Sequence, residues 1–306
     1  MDHDREAARS SAAATTAPAP VRAVTLDAGD ITLSGLLAEP AGAPRALLVA
    51  LHGGGMRAGY FDGRADPDTS LLALAASRGY AALALDRPGY GASAARLPSG
   101  TDLSAQADLL HTALDAHLPD RPCGAGVLLV GHSLGGGIAL LTAARWTDGN
   151  LLGVDVSGIG GQWAPGARQL AGSGARLSHH MHWGPLALYP PGTFRAADPL
   201  ITPVPADEAR AIPDWPRAYE QLAPRVRVPV RFTFAEHERW WRCDTAAVRA
   251  LLDRLESAPA RSERLPDAGH NISLGRTARD YHVRVLAFLE ECLTLRQAAA
   301  GRPARP

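Results

Sequence analysis

Ser133 lies in Gly131-His132-Ser133-Leu134-Gly135-Gly136, directly after the apolar run Val127 to Val130 and before a helix-like stretch from Leu134 to Arg145. A G-x-S-x-G spacing between strand and helix reads as a nucleophile elbow, in which small residues let the chain turn sharply and present the hydroxyl at the strand tip. The chemistry it would serve is attack on an acyl carbonyl. A merely structural glycine turn is the alternative. A second cluster, Leu51-His52-Gly53-Gly54-Gly55, ends an earlier apolar strand, and its glycines leave backbone N–H groups open to a substrate oxygen. Gly54 and Leu134 are the expected donors of an oxyanion hole, Leu134 because the residue after the nucleophile supplies one of them. A plain turn of glycines is again the alternative. His52, Gly53, Gly55 and His132 flank these donors and are candidate pocket residues.

The elements that must position these groups can be read from hydrophobic period. Val21 to Ala28 and Ile31 to Glu39 alternate around Gly29-Asp30 and predict an antiparallel hairpin. Ala46 to Leu51, Tyr80 to Leu85, Val127 to Val130 and Leu151 to Val156 are nearly continuous apolar runs, as expected of parallel strands buried on both faces. Helices are predicted from the Asp66-Pro67 start to Gly79, over Asp102 to His117, and directly after Ser133. Val226, Val228, Val230, Phe232 and Phe234 alternate with Arg227 and Arg231, which predicts a half-exposed strand near the sheet edge. A helix over Thr245 to Leu255, a short strand near Arg261 to Leu265 and a final helix over Thr277 to Leu295 complete the pattern.

Between Ser157 and Pro224 the alternation stops, and Gly, Pro and aromatic residues accumulate. This segment, 157–224, is expected to be a lid inserted after the sixth strand, with helices around Asp207 to Ala211 and Trp215 to Leu222. The catalytic domain is then 21–156 and 225–296, with tails at 1–20 and 297–306. His179, His180 and His182 raise a metal site, but no carboxylate or thiolate lies clearly nearby, so a polar and aromatic pocket wall is the expected role and no metal is assigned. Trp183, Trp240 and Trp241 are candidate pocket residues. The tryptophan pair is equally suited to packing beneath the lid.

Composition narrows the partners. Lys plus Arg and Asp plus Glu are each 31, and every one of those cations is Arg. The zero formal charge implies no basic face for nucleic acid or anionic membrane. No apolar run reaches the roughly 18 residues of a membrane span. Cys123, Cys243 and Cys292 are far apart, which fits neither zinc nor a disulfide framework and suits a reducing cytoplasm. The expected partner is a small-molecule or carrier-bound acyl substrate, the expected state a monomer or homodimer.

Together with Asp86-Arg87-Pro88-Gly89-Tyr90-Gly91-Ala92-Ser93, which is similar to a loop after the fourth strand, these motifs resemble the α/β-hydrolase superfamily over Val21 to Leu295. The resemblance implies an α/β-hydrolase fold, a mostly parallel eight-stranded sheet flanked by helices, with the order Ser, acid, His and no cofactor. His270, in Asp267-Ala268-Gly269-His270-Asn271 before the terminal helix, then takes the position of the base. Glu238, in Ala235-Glu236-His237-Glu238, matches the acid position, where the family usually has Asp; Asp155 after the sixth strand is the alternative acid. The activity implied is ester or thioester hydrolysis through an acyl-enzyme on Ser133. Carbon–carbon bond hydrolase, acyltransferase or cyclase chemistry would reuse the same groups, and a non-catalytic binding protein is a further alternative.

Overall fold

A computed structural model describes residues 20–119, 122–171 and 179–300. The expected N-terminal tail, apart from Pro20, and residues 301–306 lie outside the described residues. Among the described residues eight strands form one sheet in the order β1-β2-β4-β3-β5-β6-β7-β8. Strands β1 (Arg22–Ala28) and β2 (Ile31–Ala38) make the expected hairpin, with Ala28 paired to Ile31 across Gly29-Asp30. Strand β2 joins β4 (Ala81–Leu85) antiparallel. The other contacts, through β3 (Leu47–Leu51), β5 (Val127–His132), β6 (Leu151–Ser157), β7 (Val230–Ala235) and β8 (Ala260–Leu265), are parallel.

Burial on both faces explains the continuous apolar runs. In β3, Leu47, Val49 and Leu51 enter one core while Leu48 enters the other, and β5 divides Val127 and Leu129 from Leu128 and Val130 in the same way. The first core is closed by α2 (Leu103–His117), α3 (Leu134–Ala143), α8 (Trp215–Leu222) and α9 (Thr245–Asp253), through Leu110, Ile138, Trp215 and Leu251. The second is closed by α1 (Leu71–Ser77) and α10 (Ala278–Ala300), through Leu72, Tyr281 and Leu289. Asp102 and Asp244 cap α2 and α9 by accepting the N–H groups of Ala105 and Ala247.

Three expectations are corrected. Asp66-Pro67 starts only a 3₁₀ turn; α1 begins one turn later because the Ser70 hydroxyl accepts the Ala73 N–H and becomes the true cap. The β7 strand stands next to the edge strand β8, as expected, but it is buried at every position, so the half-exposed reading fails. Its Arg231 is buried because Asp155 neutralises it, at 2.6 Å, and α10 covers it, with the Arg284 carbonyl accepting from its guanidinium. The final helix also runs on to Ala300.

Between β6 and β7 the chain forms α4 (Ala167–Ala171), α5 (His179–Trp183), α6 (Thr193–Ala197), α7 (Ala206–Ala211) and α8, so the two helices expected there are present. Residues 172–178 lie outside the described set. No described helix is long and apolar enough to cross a membrane.

Among the described residues, His52, His132 and His282 are enclosed and have burial-lowered proton affinity. Burial holds His52 and His132 well below their ordinary value of 6.5 and brings His282, on α10, down to about 4. Each is neutral in the fold but takes up a proton in the unfolded chain below 6.5, so stability is complete above that pH and falls as pH drops towards 4. Each of these three rings contributes a slope of at most about 1.4 kcal/mol per pH unit in that window. Urea midpoints measured at pH 7.5, 6.0 and 5.0 are expected to fall monotonically; a flat profile would contradict the burial of these rings.

Candidate active site

The tip of β5 turns into α3 at Ser133, whose backbone is left-handed at φ 51°, ψ −121°. Its N–H donates to the Ser157 carbonyl on β6 at 2.7 Å, and its carbonyl accepts the Gly136 N–H at 2.8 Å to begin the helix. The motif glycines are required by close approach. A Cβ on Gly131 would lie 2.4 Å from Gly136 Cα, and one on Gly135 would lie 2.1 Å from the Leu51 carbonyl. The helix thereby starts against the tips of β3 and β5, and Leu134, its first residue, carries an N–H that has no partner inside a helix.

The loop after β3 lies beside the elbow. A Cβ on Gly53 would sit 3.2 Å from Ser133 Cβ, and one on Gly54 would sit 2.8 Å from Leu134 Cδ1. His52 turns away from the serine. Its Nε2 accepts the Arg87 N–H at 3.0 Å, so Nδ1 carries the proton and donates to the Gly53 carbonyl at 2.8 Å. Gly55 donates its N–H to the Tyr90 hydroxyl.

His270 and Glu238 are brought together. The imidazole Nδ1 lies 2.8 Å from Glu238 Oε2, and both side chains are buried. A carboxylate only accepts, so Nδ1 bears the hydrogen and Nε2 is left as the basic nitrogen. The other oxygen, Oε1, accepts the N–H groups of Arg239 and Trp240 at 3.0 and 2.9 Å. The two loops are laced to each other: Glu236 and His237 donate N–H groups to the Leu265 and Ala268 carbonyls, and the Glu236 carboxylate accepts the Asp267 N–H. This lacing sets a glutamate, one carbon longer than aspartate, at the right distance from the ring.

Asp155 is placed differently. It is fully buried, ion-paired with Arg231, and accepts the Tyr281 hydroxyl at 3.0 Å.

His132 lies beneath His270, with ring centroids 4.9 Å apart; it stacks on Tyr60 at 4.7 Å, and its Nδ1 is 3.1 Å from the Ser157 hydroxyl. Trp241 stacks on Trp163 and donates to the Gly158 carbonyl, so it packs beneath the β6–β7 segment and does not stand at a pocket mouth. Trp240 is buried and donates to His182 Nδ1, bringing the His182 ring to 5.7 Å from His270. Trp183 packs with Tyr189 and Phe194. Among the described residues, no three His, Cys, Asp or Glu side chains are grouped so as to hold a metal.

Sequence reasoning missed Gly158. At φ +64°, a Cβ here would lie 3.0 Å from both the His132 and His270 rings. The signal available was Ser157-Gly158 immediately after an apolar strand, which reads equally as an ordinary strand end.

The chain belongs to the alpha/beta hydrolase family, whose sequence model matches residues 48–281. The protein is therefore an enzyme of that family, with the eight-stranded fold its motifs implied. Comparison with curated protein sequences returned no match. The fold is similar to a thermostable carboxyl esterase from Bacillus coagulans, at TM-score 0.65 and 18% identity over 89% of this chain and 98% of that one. It is similar also to a thermophilic esterase from Thermogutta terrifontis, at TM-score 0.61 and 17% identity over 90% and 99% of the two chains. E-2-(acetamidomethylene)succinate hydrolase gives TM-score 0.65 and 19% identity over 89% and 100%.

Two substitutions test this arrangement. Asp155→Asn removes the nearer of the two carboxylates that face buried Arg231, leaving Glu263 at 3.7 Å, and is expected to cost about 3 kcal/mol of stability, while the folded fraction keeps its turnover; loss of turnover at full stability would move the acid's role to Asp155. Gly158→Ala is expected to lower turnover at least tenfold by displacing His270, checked by steady-state kinetics on protein whose circular dichroism is native.

Proposed function

We propose that the protein is a serine hydrolase that cleaves an ester or thioester through an acyl-enzyme on Ser133, with His270 as base and Glu238 as acid. The observation that supports this most is the buried 2.8 Å contact between His270 Nδ1 and Glu238, which leaves Nε2 as the basic nitrogen; His132, the residue before Ser133 and its strained turn, has its ring 4.9 Å from that of His270. His270 takes the hydroxyl proton as Ser133 Oγ attacks the carbonyl carbon, and returns it to the leaving alcohol or thiol. Glu238 holds the ring in the required tautomer and stabilises its cationic form. The N–H groups of Gly54 and Leu134 receive the oxyanion, each such donor being worth about 10²–10³ in turnover. A water molecule activated by the same imidazole then releases the acyl group.

Two surroundings favour this cycle. His132, next to His270, is kept neutral by burial and by the neighbouring His270 and His182, so it adds no like charge when His270 becomes cationic. Asp155 is already engaged by Arg231 and Tyr281, which leaves Glu238 as the carboxylate serving the imidazole. The β6–β7 segment supplies His182 and the aromatic residues around it, and we read it as the lid over the acyl site.

The test is labelling with a fluorophosphonate, followed by mapping of the adduct and a screen of ester and thioester substrates. Wild type is expected to be modified at Ser133 alone. Ser133→Ala abolishes labelling and turnover, and Glu238→Gln, which cannot hold a cationic imidazole, lowers turnover by about 10⁴-fold. An unlabelled wild type that turns over none of the screen would overturn the reading.

A further inference from the structure

Glu208 lies on α7, in the segment between β6 and β7, yet it is fully buried against the loop that follows β3. Its carboxylate accepts four hydrogen bonds. Oε1 receives Arg87 Nη2 at 2.9 Å and the Tyr90 hydroxyl at 2.8 Å; Oε2 receives Arg87 Nη1 at 2.7 Å and Gln106 Nε2 at 2.8 Å. These fill the acceptor positions of a carboxylate. Two of the donors reach onward to the loop carrying Gly54. Arg87 donates its Nε to the His52 carbonyl at 2.7 Å and its backbone N–H to His52 Nε2. The Tyr90 hydroxyl, having given its hydrogen to Glu208, accepts the Gly55 N–H at 3.0 Å. The loop is thus gripped on both sides of Gly53-Gly54 by groups that one carboxylate orients. The same carboxylate lies 3.4 Å from where a Cβ on Gly54 would be.

Further contacts fasten this part of the segment down. The Thr202 N–H donates to the Gly55 carbonyl at 2.9 Å, and the Asp207 N–H to the Ser99 carbonyl at 2.8 Å. A hydroxyl that donates to an anion is a fixed acceptor for its other partner, because its hydrogen cannot rotate elsewhere without breaking a charge-assisted bond. Arg87, enclosed with its counter-ion, is likewise held in one geometry.

We propose that Glu208 is a positioning residue for the oxyanion loop, acting through Tyr90 on Gly55 and through Arg87 on His52, so that the chain between β6 and β7 sets the direction of the Gly54 N–H. This rests on the reading of Gly54 as an oxyanion donor. An oxyanion donor must point at charge that exists only in the transition state, and a loop free to rotate would lose that aim without losing substrate affinity. The signature is therefore a fall in kcat with KM retained.

The experiment compares wild type, Tyr90→Phe, Glu208→Gln and the double variant by two readouts. Tyr90→Phe keeps the ring, its edge contact with His52 and its position beside Arg87, removing only the hydroxyl. Hydrogen exchange of a peptide covering residues 52–56 is expected to speed up at least tenfold in Tyr90→Phe, with the remaining peptides at wild-type rates. Turnover of the ester that wild type hydrolyses best is expected to fall 10- to 100-fold with KM within threefold, and the double variant is expected to lose no more than the worse single one. Unchanged exchange in residues 52–56 overturns the inference whatever the kinetics. So does accelerated exchange with unchanged kcat in an active enzyme, or exchange raised throughout the protein, which would make the network a matter of stability alone. A wild type that hydrolyses nothing while Tyr90→Phe loosens residues 52–56 would instead remove the proposed activity and leave the mechanical link standing.

Discussion

Ser133 is held at a backbone conformation that costs a non-glycine residue about 1–3 kcal/mol, and such a conformation persists only where its surroundings over-determine it. Here they do so from both sides. The tip of β6 takes its N–H, the first turn of α3 takes its carbonyl, and contacts that exclude a Cβ on Gly131 and Gly135 wedge the helix against the tips of β3 and β5. Because β3, β5 and β6 are adjacent and parallel, all of their C-terminal ends open on the same edge of the sheet. Every other group of the site arrives on a loop leaving that edge.

Two enclosed ion pairs divide the work of holding those loops. Arg231 and Asp155 join β7 to β6 within the sheet, with Tyr281 of α10 completing the carboxylate. Arg87 and Glu208 join the loop after β4 to α7. In both, the cation is an arginine whose several N–H groups engage the partner and neighbouring acceptors at once, which a lysine ammonium could not do in the same geometry. A chain whose only basic side chains besides histidine are arginines has that capacity at every internal cation.

Much of this was legible in the sequence because it is local. The apolar runs gave the buried strands, Asp102 marked a helix start, and Ser133, Gly54 and His270 lie in motifs of a few residues. Glu238 was legible through order along the chain, since the β7 loop is where the family resemblance puts an acid. Arg231 was misjudged because an arginine in an alternating strand resembles a solvent-facing position until a buried aspartate on the neighbouring strand is known. Glu208 was passed over for the same reason, its partners being 121 and 118 residues away. Gly158 carries no mark of the rings on either side of it. Long-range pairing and steric exclusion leave no periodicity to read.

The lacing between the loops after β7 and β8 has a bearing on how such a site tolerates substitution. His270 and Glu238 belong to loops joined by backbone hydrogen bonds, whereas Ser133 belongs to a different pair of elements. A substitution at the seam between β6 and β7 shifts both members of the pair together, altering their common distance from the serine and leaving their own contact intact. The pair therefore moves as one unit relative to Ser133, and such a change leaves the imidazole with its carboxylate.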